Sequence, residues 1–262
     1  MFHQTTARPV VMVRNALLVE DTLINQRVVF GLLTKRGHAV TVVNTGKEAL
    51  AALERQRFDI VLMDVQMPEM DGLEATARIR ERERRAGGHT HIVALTAHAM
   101  AGDRERCLAA GMDGYLTKPV DPQALFEAVE RSATGATPAR TEPFEAVIDR
   151  TDLLRRLCGD QELLATVIAL FLDDCPARLA AIKRAVEARD REGIRTAAHA
   201  LKSAAATLSA RGVAEAAHAL EQMGASGDLD HVTAAWPRLV AAGERLLMAL
   251  GDEQPAELIC AR

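Results

Sequence analysis

Apolar and polar positions alternate in two different ways along the chain. In the first half, short apolar runs are separated by longer amphipathic stretches. Five apolar runs predict strands, over 16–19, 38–43, 59–63, 91–95 and 114–117. Four amphipathic stretches predict helices, over 24–36, 47–56, 73–85 and 122–131. Strands that alternate with helices favour an α/β fold, a doubly wound five-stranded parallel sheet covered on both faces.

The second half lacks this alternation. Small residues and proline dominate 132–143, which predicts a linker. Apolar residues then recur at helical spacing over 160–189, 192–210, 213–223 and 229–250. Four such segments predict an all-α four-helix bundle, in which Pro176 and Pro237 are expected to kink or restart two helices. The predicted organisation is a domain over 14–132, a linker over 133–147, a second domain over 148–250 and a tail over 251–262.

Composition narrows the function classes. The chain has 262 residues, a formal net charge of -4 and 3% aromatic residues, so we expect no nucleic-acid binding. The four cysteines lack C-x-x-C spacing, which fits reduced thiols in a cytoplasmic protein. No signal peptide and no apolar run of membrane-spanning length is present, so we expect no membrane insertion.

Acidic residues follow two of the predicted strands. Glu20 and Asp21 end the first strand, and Asp64 ends the third. If the strand order is 2-1-3-4-5, these strands are neighbours and the three carboxylates meet at the carboxyl edge of the sheet. At a separation of about 5 Å, each charge pair costs roughly 3 kcal/mol at an effective dielectric near 20. A small hard cation relieves that repulsion, and oxygen ligands favour Mg²⁺.

Two further side chains end neighbouring strands at the same edge. Thr96 follows the fourth strand with a hydroxyl, and Lys118 follows the fifth with an ammonium group. Phosphoryl transfer to a carboxylate spreads negative charge over the equatorial oxygens of the phosphoryl group. Mg²⁺, Lys118 and Thr96 are expected to stabilise those oxygens.

These positions resemble the receiver domains of two-component response regulators, which have a flavodoxin-like fold. The resemblance covers residues 14–132 and is closest to receivers of hybrid sensor kinases. It implies Asp64 as the phosphoacceptor, Asp21, Asp64 and the backbone carbonyl of Gln66 as Mg²⁺ ligands, and Glu20 as an indirect acidic partner. It also implies a switch that couples Thr96 to Tyr115. The matching residues are Glu20-Asp21, 63–68, Asp71-Gly72, Thr96-Ala97, Tyr115 and Lys118-Pro119.

One histidine of the second domain stands beside a lysine on a helix. An apolar stripe through Leu201 faces the bundle core, and His199 lies about 200° around the helix from Leu201. We therefore expect His199 on the solvent side. Lys202 and Ser203 follow it at i+3 and i+4, on the same face. Lys202 is suited to offset the roughly 1.5 to 2 negative charges of a phosphoryl group.

The histidine helix resembles the active helix of histidine-containing phosphotransfer (HPt) domains, whose pattern is H-x-L-K-G. That family forms four-helix bundles, with which residues 148–250 are compatible. The resemblance implies His199 as a phosphorylation site supported by Lys202 and Ser203. Ser203 stands where the pattern prefers glycine, and it remains small enough for a partner to approach the imidazole.

Together these features predict a phosphorelay protein that uses Asp64 and His199. Its expected partners are a sensor histidine kinase, a downstream response regulator receiver, or both. No Walker loop is present, so the chain is expected to transfer phosphoryl groups without using ATP directly. Two alternatives stay open: the C-terminal part of a hybrid sensor kinase, and a phosphorylation-switched interaction module with an inert His199. The direction of phosphoryl flow, and whether transfer occurs within one chain, also stay open.

Overall fold

The computed structural model describes residues 13–97, 101–130 and 148–251, with only the backbone of 101–103 and 251. The predicted linker over 133–147 lies outside these residues, as do positions 252–262 of the predicted tail. None of the described helices combines the length and apolar character that crossing a membrane requires.

A five-stranded parallel sheet forms the first domain. Its strand order is β2-β1-β3-β4-β5, so the predicted order is confirmed. The strands are β1 (Asn15–Val19), β2 (Ala39–Val43), β3 (Ile60–Asp64), β4 (Ile92–Thr96) and β5 (Gly114–Thr117). Every residue of β3 and β4 is buried, because helices cover both faces of the sheet.

Five helices connect or follow these strands. They are α1 (Leu23–Lys35), α2 (Gly46–Arg55), α3 (Gly72–Ala86), α4 (Ala101–Ala109) and α5 (Pro122–Glu130). The apolar pattern indicated all of them except α4, whose sequence AGDRERCLA has few apolar residues to reveal a helical period. The helix is still recognisable as the connection between two parallel strands.

The second domain is all-α, as predicted. Its helices are α6 (Arg150–Arg156), α7 (Gln161–Glu187), α8 (Arg191–Thr207), α9 (Arg211–Ser226) and α10 (Leu229–Gly251). The short α6 was missed, because seven residues are too few to establish a helical period. Restarted helices at Pro176 and Pro237 were wrong, since α7 and α10 each run through their proline. In α7, buried residues on both sides of Pro176 keep the helix packed on the bundle.

The two domains share one apolar core. Helix α1 of the sheet domain packs against α7 and α8 of the bundle. A Cβ atom built on Gly31 of α1 would lie 2.9 Å from the side chain of Leu163 in α7, so the glycine permits a close approach of the two helices. An ion pair of 2.7 Å between Lys35 and Asp160 adds a polar contact at the same place.

Candidate functional site

Three carboxylates meet at the carboxyl edge of the sheet. Glu20 follows β1, Asp21 comes next, and Asp64 is the last residue of β3, the strand paired with β1. One oxygen of each carboxylate lies within 4.8 Å of the others, which suits a shared metal ion. Glu20 and Asp64 are only 0% and 3% exposed, while Asp21 is half-buried. Because the three carboxylates are close together and largely buried, ionising all of them is costly without a nearby positive charge.

The ammonium group of Lys118 contacts two of these carboxylates. Its Nζ lies 2.6 Å from Asp64 Oδ2 and 2.7 Å from Glu20 Oε2. Burial acts to lower the pKa of Lys118, but the charges of Asp64 and Glu20 outweigh burial and raise it. Burial, together with the charge of Glu20, holds the pKa of Asp64 well above its usual range despite Lys118. Because its pKa is raised, the ammonium group of Lys118 stays charged, and it offsets part of the repulsion among the carboxylates.

Backbone contacts position the remaining predicted residues of the sheet domain. Thr96 is the buried last residue of β4, and its carbonyl accepts a 2.7 Å hydrogen bond from the Lys118 amide. The Gln66 amide donates to Asp64 Oδ1 at 3.1 Å, so Gln66 lies beside the cluster. Tyr115 is half-buried on β5, with the guanidinium of Arg104 at 6.0 Å from its ring centre.

The loop after β3 is fixed by a close backbone contact. A Cβ atom on Gly72 would lie 2.1 Å from the carbonyl oxygen of Asp64, which no other residue could accommodate without a shift. The Gly72 amide also donates to the Val65 carbonyl at 3.0 Å. Gly72 thus holds the end of β3 in the position from which Asp64 enters the cluster.

His199 lies in the bundle domain, and its expected place on the solvent side was wrong. The residue is only 9% exposed. The apolar stripe through Leu201 does face the core, as predicted. The opposite face is covered because α9 and helix α1 of the other domain pack against α8, which a single amphipathic pattern cannot show.

A carboxylate on α9 holds the imidazole. His199 Nδ1 lies 2.6 Å from Glu221 Oε1, and Lys202 Nζ lies 2.6 Å from Glu221 Oε2. His218 Nδ1 adds a contact of 3.2 Å to Oε2. Burial acts to raise the pKa of Glu221, but the hydrogen bonds from His199 and Lys202 outweigh burial and lower it far below its usual range.

Glu221 was missed by sequence reasoning. It is 3% exposed and stands next to Leu220 on the buried side of α9. An acidic residue at the edge of an apolar stripe was the available signal, since a buried carboxylate requires partners. Its partners are 22 and 19 residues away in sequence, so only the packing of α9 on α8 identifies them.

The two sites face each other across the domain interface. Burial and the charge of Glu20 raise the pKa of Asp21 while the charge of Lys118 opposes them, and His199 of the bundle is close enough to act on the same carboxylate. Asn25 of α1 connects the two sides, since its amide donates to Glu20 Oε1 at 2.9 Å and to Ser203 Oγ at 2.8 Å. The phosphotransfer helix predicted from sequence therefore lies beside the carboxylate cluster.

Comparison with known proteins assigns both domains. Residues 16–130 match the family described as response regulator receiver domain, and residues 166–252 match the family described as Hpt domain. The chain therefore carries a receiver domain followed by an Hpt domain, the two domain types of phosphorelay signal transduction. The predicted fold class, a flavodoxin-like receiver with a helical Hpt region, is confirmed.

Curated relatives of the chain include sensor and hybrid histidine kinases. Sensor histidine kinase GacS of Pseudomonas protegens is 38% identical over 200 residues, which cover 72% of this chain and 22% of that protein. Hybrid signal transduction histidine kinase I of Dictyostelium discoideum is 46% identical over 121 residues, which cover 44% of this chain and 7% of that protein. The chain thus spans less than a quarter of these relatives.

Solved structures similar to this chain include the receiver domain of sensor histidine kinase PA1611 from Pseudomonas aeruginosa, which has a magnesium ion coordinated in its active site cleft. That domain is 43% identical to this chain. The match covers 45% of this chain and 98% of that one, with a TM-score of 0.41.

Proposed function

We propose that this protein passes a phosphoryl group between Asp64 of its receiver domain and His199 of its Hpt domain. The observation that supports this most directly is the pair of facing sites joined through Asn25. One site holds a buried carboxylate beside an ammonium group, and the other holds an imidazole fixed by a carboxylate. These are the two nucleophiles that a relay between aspartate and histidine needs.

Asp64 is the proposed phosphoacceptor. Its carboxylate is the nucleophile, and Lys118 and Thr96 are the proposed partners of the phosphoryl oxygens, as each lies at the end of an adjacent strand. The carboxylates of Asp21 and Asp64 and the backbone carbonyl of Gln66 are the proposed Mg²⁺ ligands, with Glu20 acting indirectly. The donor chemistry fits, because one carboxylate oxygen each of Glu20, Asp21 and Asp64 lies within 4.8 Å of the others, and Mg²⁺ prefers oxygen ligands. When bound, the ion supplies positive charge that offsets the charge of the phosphoryl oxygens.

The contact with Glu221 assigns the nitrogens of His199 in this proposal. A proton on Nδ1 is donated to Glu221, which leaves Nε2 with its lone pair as the nucleophile. Lys202 is bound to the same carboxylate and brings a positive charge next to the imidazole. Ser203, one turn further on, is small, so α1 of the receiver domain can pack close to this face of α8.

Transfer from Asp64 to His199 then balances. The lone pair of Nε2 forms a bond to phosphorus while the bond from phosphorus to the Asp64 oxygen breaks, and the carboxylate is regenerated. The product is an imidazolium phosphorylated at Nε2, whose Nδ1 proton remains hydrogen-bonded to Glu221 and whose phosphoryl charge Lys202 offsets. The reverse reaction uses the same groups. Tyr115 is proposed to couple to Thr96 when Asp64 carries the group.

A sensor histidine kinase and a downstream receiver are the proposed external partners. The relatives named above are sensor and hybrid histidine kinases, which supports a kinase as the source of the phosphoryl group. The predicted domain boundaries at 132 and 148, and the cytoplasmic location, stay predictions.

Phosphoryl loading tests the proposal. Wild type, Asp64→Ala and His199→Gln would be incubated with a radiolabelled small phosphodonor and Mg²⁺, and the label would be tested for stability in acid and alkali. An acyl phosphate is lost in alkali, whereas a phosphohistidine survives alkali and is lost in acid. We expect alkali-stable label in wild type that disappears in both variants.

The other outcomes separate the alternatives. Alkali-labile label alone, unaffected by His199→Gln, would indicate a working receiver beside an inert histidine, which is the interaction-module alternative. A mixture of the Asp64→Ala and His199→Gln chains reports transfer between molecules, since neither chain can transfer by itself. Absence of alkali-stable label from both wild type and the mixture would refute the proposed function.

A further inference from the structure

We propose that Asn25, Ser203 and Thr207 form a recognition contact by which this phosphotransfer helix selects its own receiver domain. The inference rests on the proposed function and names the partner: a receiver with a carboxamide side chain at the position of Asn25 on α1. The receiver domain of the same chain has this side chain and is the proposed partner.

Asn25 uses both ends of its side chain in this contact. Its Nδ2 donates to Glu20 Oε1 at 2.9 Å and to Ser203 Oγ at 2.8 Å. Its Oδ1 accepts a 2.6 Å hydrogen bond from Thr207 Oγ1. Asn25 is 5% exposed, so these protein groups take the place of water. One amide thereby ties an acid of the receiver site to two hydroxyls of α8.

The two hydroxyls have a fixed relation to His199. Ser203 and Thr207 follow it by four and eight residues on α8, so all three share one face of the helix at successive turns. The exposed fractions of Ser203 and Thr207 are 2% and 8%. A contact at these positions sets both the translation and the rotation of the histidine helix relative to the carboxylate cluster.

Surrounding contacts hold the helices close enough for this bonding. Gly31 lies nearly two turns further along α1 and packs under Leu163. A small cavity of about 20 Å³ lies at the domain boundary. Apolar residues of both domains, such as Val28 and Leu153, form most of its lining, together with Asn25, Thr207 and the charged residues Glu20, Lys118 and Arg156. The hydroxyl and amide groups therefore meet in a largely apolar interface, where an unmatched polar group is costly.

Selectivity follows from that cost. A receiver without a carboxamide here would leave Ser203 Oγ without this donor, and Thr207 Oγ1 would keep only its 3.1 Å bond to the Ser203 carbonyl. A phosphotransfer helix with glycine in place of Ser203 would leave one Asn25 donor unmatched. Ser203, the departure from the usual pattern, thus becomes part of the partner choice.

The test follows intramolecular transfer in the complete chain. Thr207→Val removes the hydroxyl at nearly constant shape, whereas Thr207→Ser keeps it. Thr166→Val is the matched control, because the Thr166 hydroxyl donates to the Glu162 carbonyl within α7. After loading with the small phosphodonor, we expect the rate of appearance of alkali-stable label to fall roughly tenfold in Thr207→Val and to stay near wild type in Thr207→Ser and Thr166→Val.

A double-mutant cycle with Asn25→Ala tests whether these residues act on each other. We expect the combined Asn25→Ala and Thr207→Val chain to transfer no more slowly than the slower single variant, since both changes remove the same hydrogen bond. The rate of Asp64 loading is recorded for every chain, because it separates damage to the receiver site through Glu20 from loss of docking.

Outcomes for the contact and for the relay are distinguishable. Wild-type transfer that depends on protein concentration, or equal transfer in Thr207→Val and Thr166→Val, would overturn the recognition contact and leave the relay standing. Absence of alkali-stable label from wild type and from the mixed chains would overturn both. Amide hydrogen exchange of α1, faster in Thr207→Val than in Thr207→Ser, is the expected structural signature; equal exchange would count against the contact.

Discussion

Removal of one negative charge from the carboxylate cluster should stabilise the metal-free protein. Asp21 has a pKa above its usual value because of burial and the charge of Glu20, so its ionised form is disfavoured in the folded state. At the 4.8 Å limit of the cluster, each carboxylate pair repels by about 3 kcal/mol at an effective dielectric near 20. Asp21→Asn removes its repulsions with Glu20 and Asp64 and also its attraction to Lys118.

The net gain is smaller than these repulsions, because Asp21 is half-buried and water screens its charge. We expect Asp21→Asn to gain on the order of 1 to 3 kcal/mol, which raises the unfolding midpoint by several degrees. The gain should grow as pH rises through the raised pKa of Asp21 and vanish below about pH 4, where the carboxylate is protonated in both states.

Thermal unfolding followed by circular dichroism, with chelator and then with excess Mg²⁺, measures both effects. Mg²⁺ should stabilise wild type and have less effect on Asp21→Asn, which lacks one proposed ligand. With Mg²⁺, the difference between the unfolding midpoints of the variant and wild type should therefore shrink or change sign. Asp173→Asn, at an exposed position of α7, controls for the loss of one charge. A variant that melts below wild type in chelator, or that gains as much from Mg²⁺ as wild type, would refute the reasoning.

Three further variants test single contacts. Glu221→Gln should lower stability above about pH 4.3, because the ionised carboxylate stabilises the folded state through its lowered pKa. The difference in stability from wild type should shrink as pH falls. Urea unfolding measures it, and equal midpoints at about pH 7 would contradict this prediction. Gly72→Ala should cost about 1 to 3 kcal/mol and slow the labelling of Asp64, since the added carbon overlaps that residue's carbonyl; unchanged stability and labelling would count against the close contact. Gly31→Leu should wedge α1 from Leu163, so small-angle scattering should report a larger radius of gyration while circular dichroism keeps its helical signal.

Local sequence signals predicted the α/β parallel sheet of the first domain and the composition of its site. A buried strand is indicated by its own apolar run, and the carboxyl ends of parallel strands lie at the same edge of the sheet. The acids at the ends of β1 and β3 could therefore be placed together from the strand pattern and the strand order 2-1-3-4-5, and the cluster of Glu20, Asp21 and Asp64 is observed there. The structure adds that Lys118 pairs with both Glu20 and Asp64, which could not be inferred from the residue types alone.

Elements with few apolar residues escaped prediction. The nine residues of α4 carry four consecutive charged residues, and α6 has only seven residues, so neither shows a measurable helical period. The prolines of α7 and α10 suggested restarted helices, whereas each helix continues through its proline. A proline lowers the stability of an isolated helix, but packing on both sides of it can retain the helix.

The sequence by itself determined two domain types, the acids at the strand ends, and a histidine followed by a lysine on one helix. These follow from periodicity and spacing within single elements. Only the tertiary structure decided that His199 is covered, that Glu221 holds its Nδ1, and that Asn25 meets Ser203 and Thr207. The partners in those contacts are 22 to 182 residues apart along the chain. Such contacts depend on how helices pack across a domain boundary, and a helical pattern specifies which face is apolar without specifying what covers the other face.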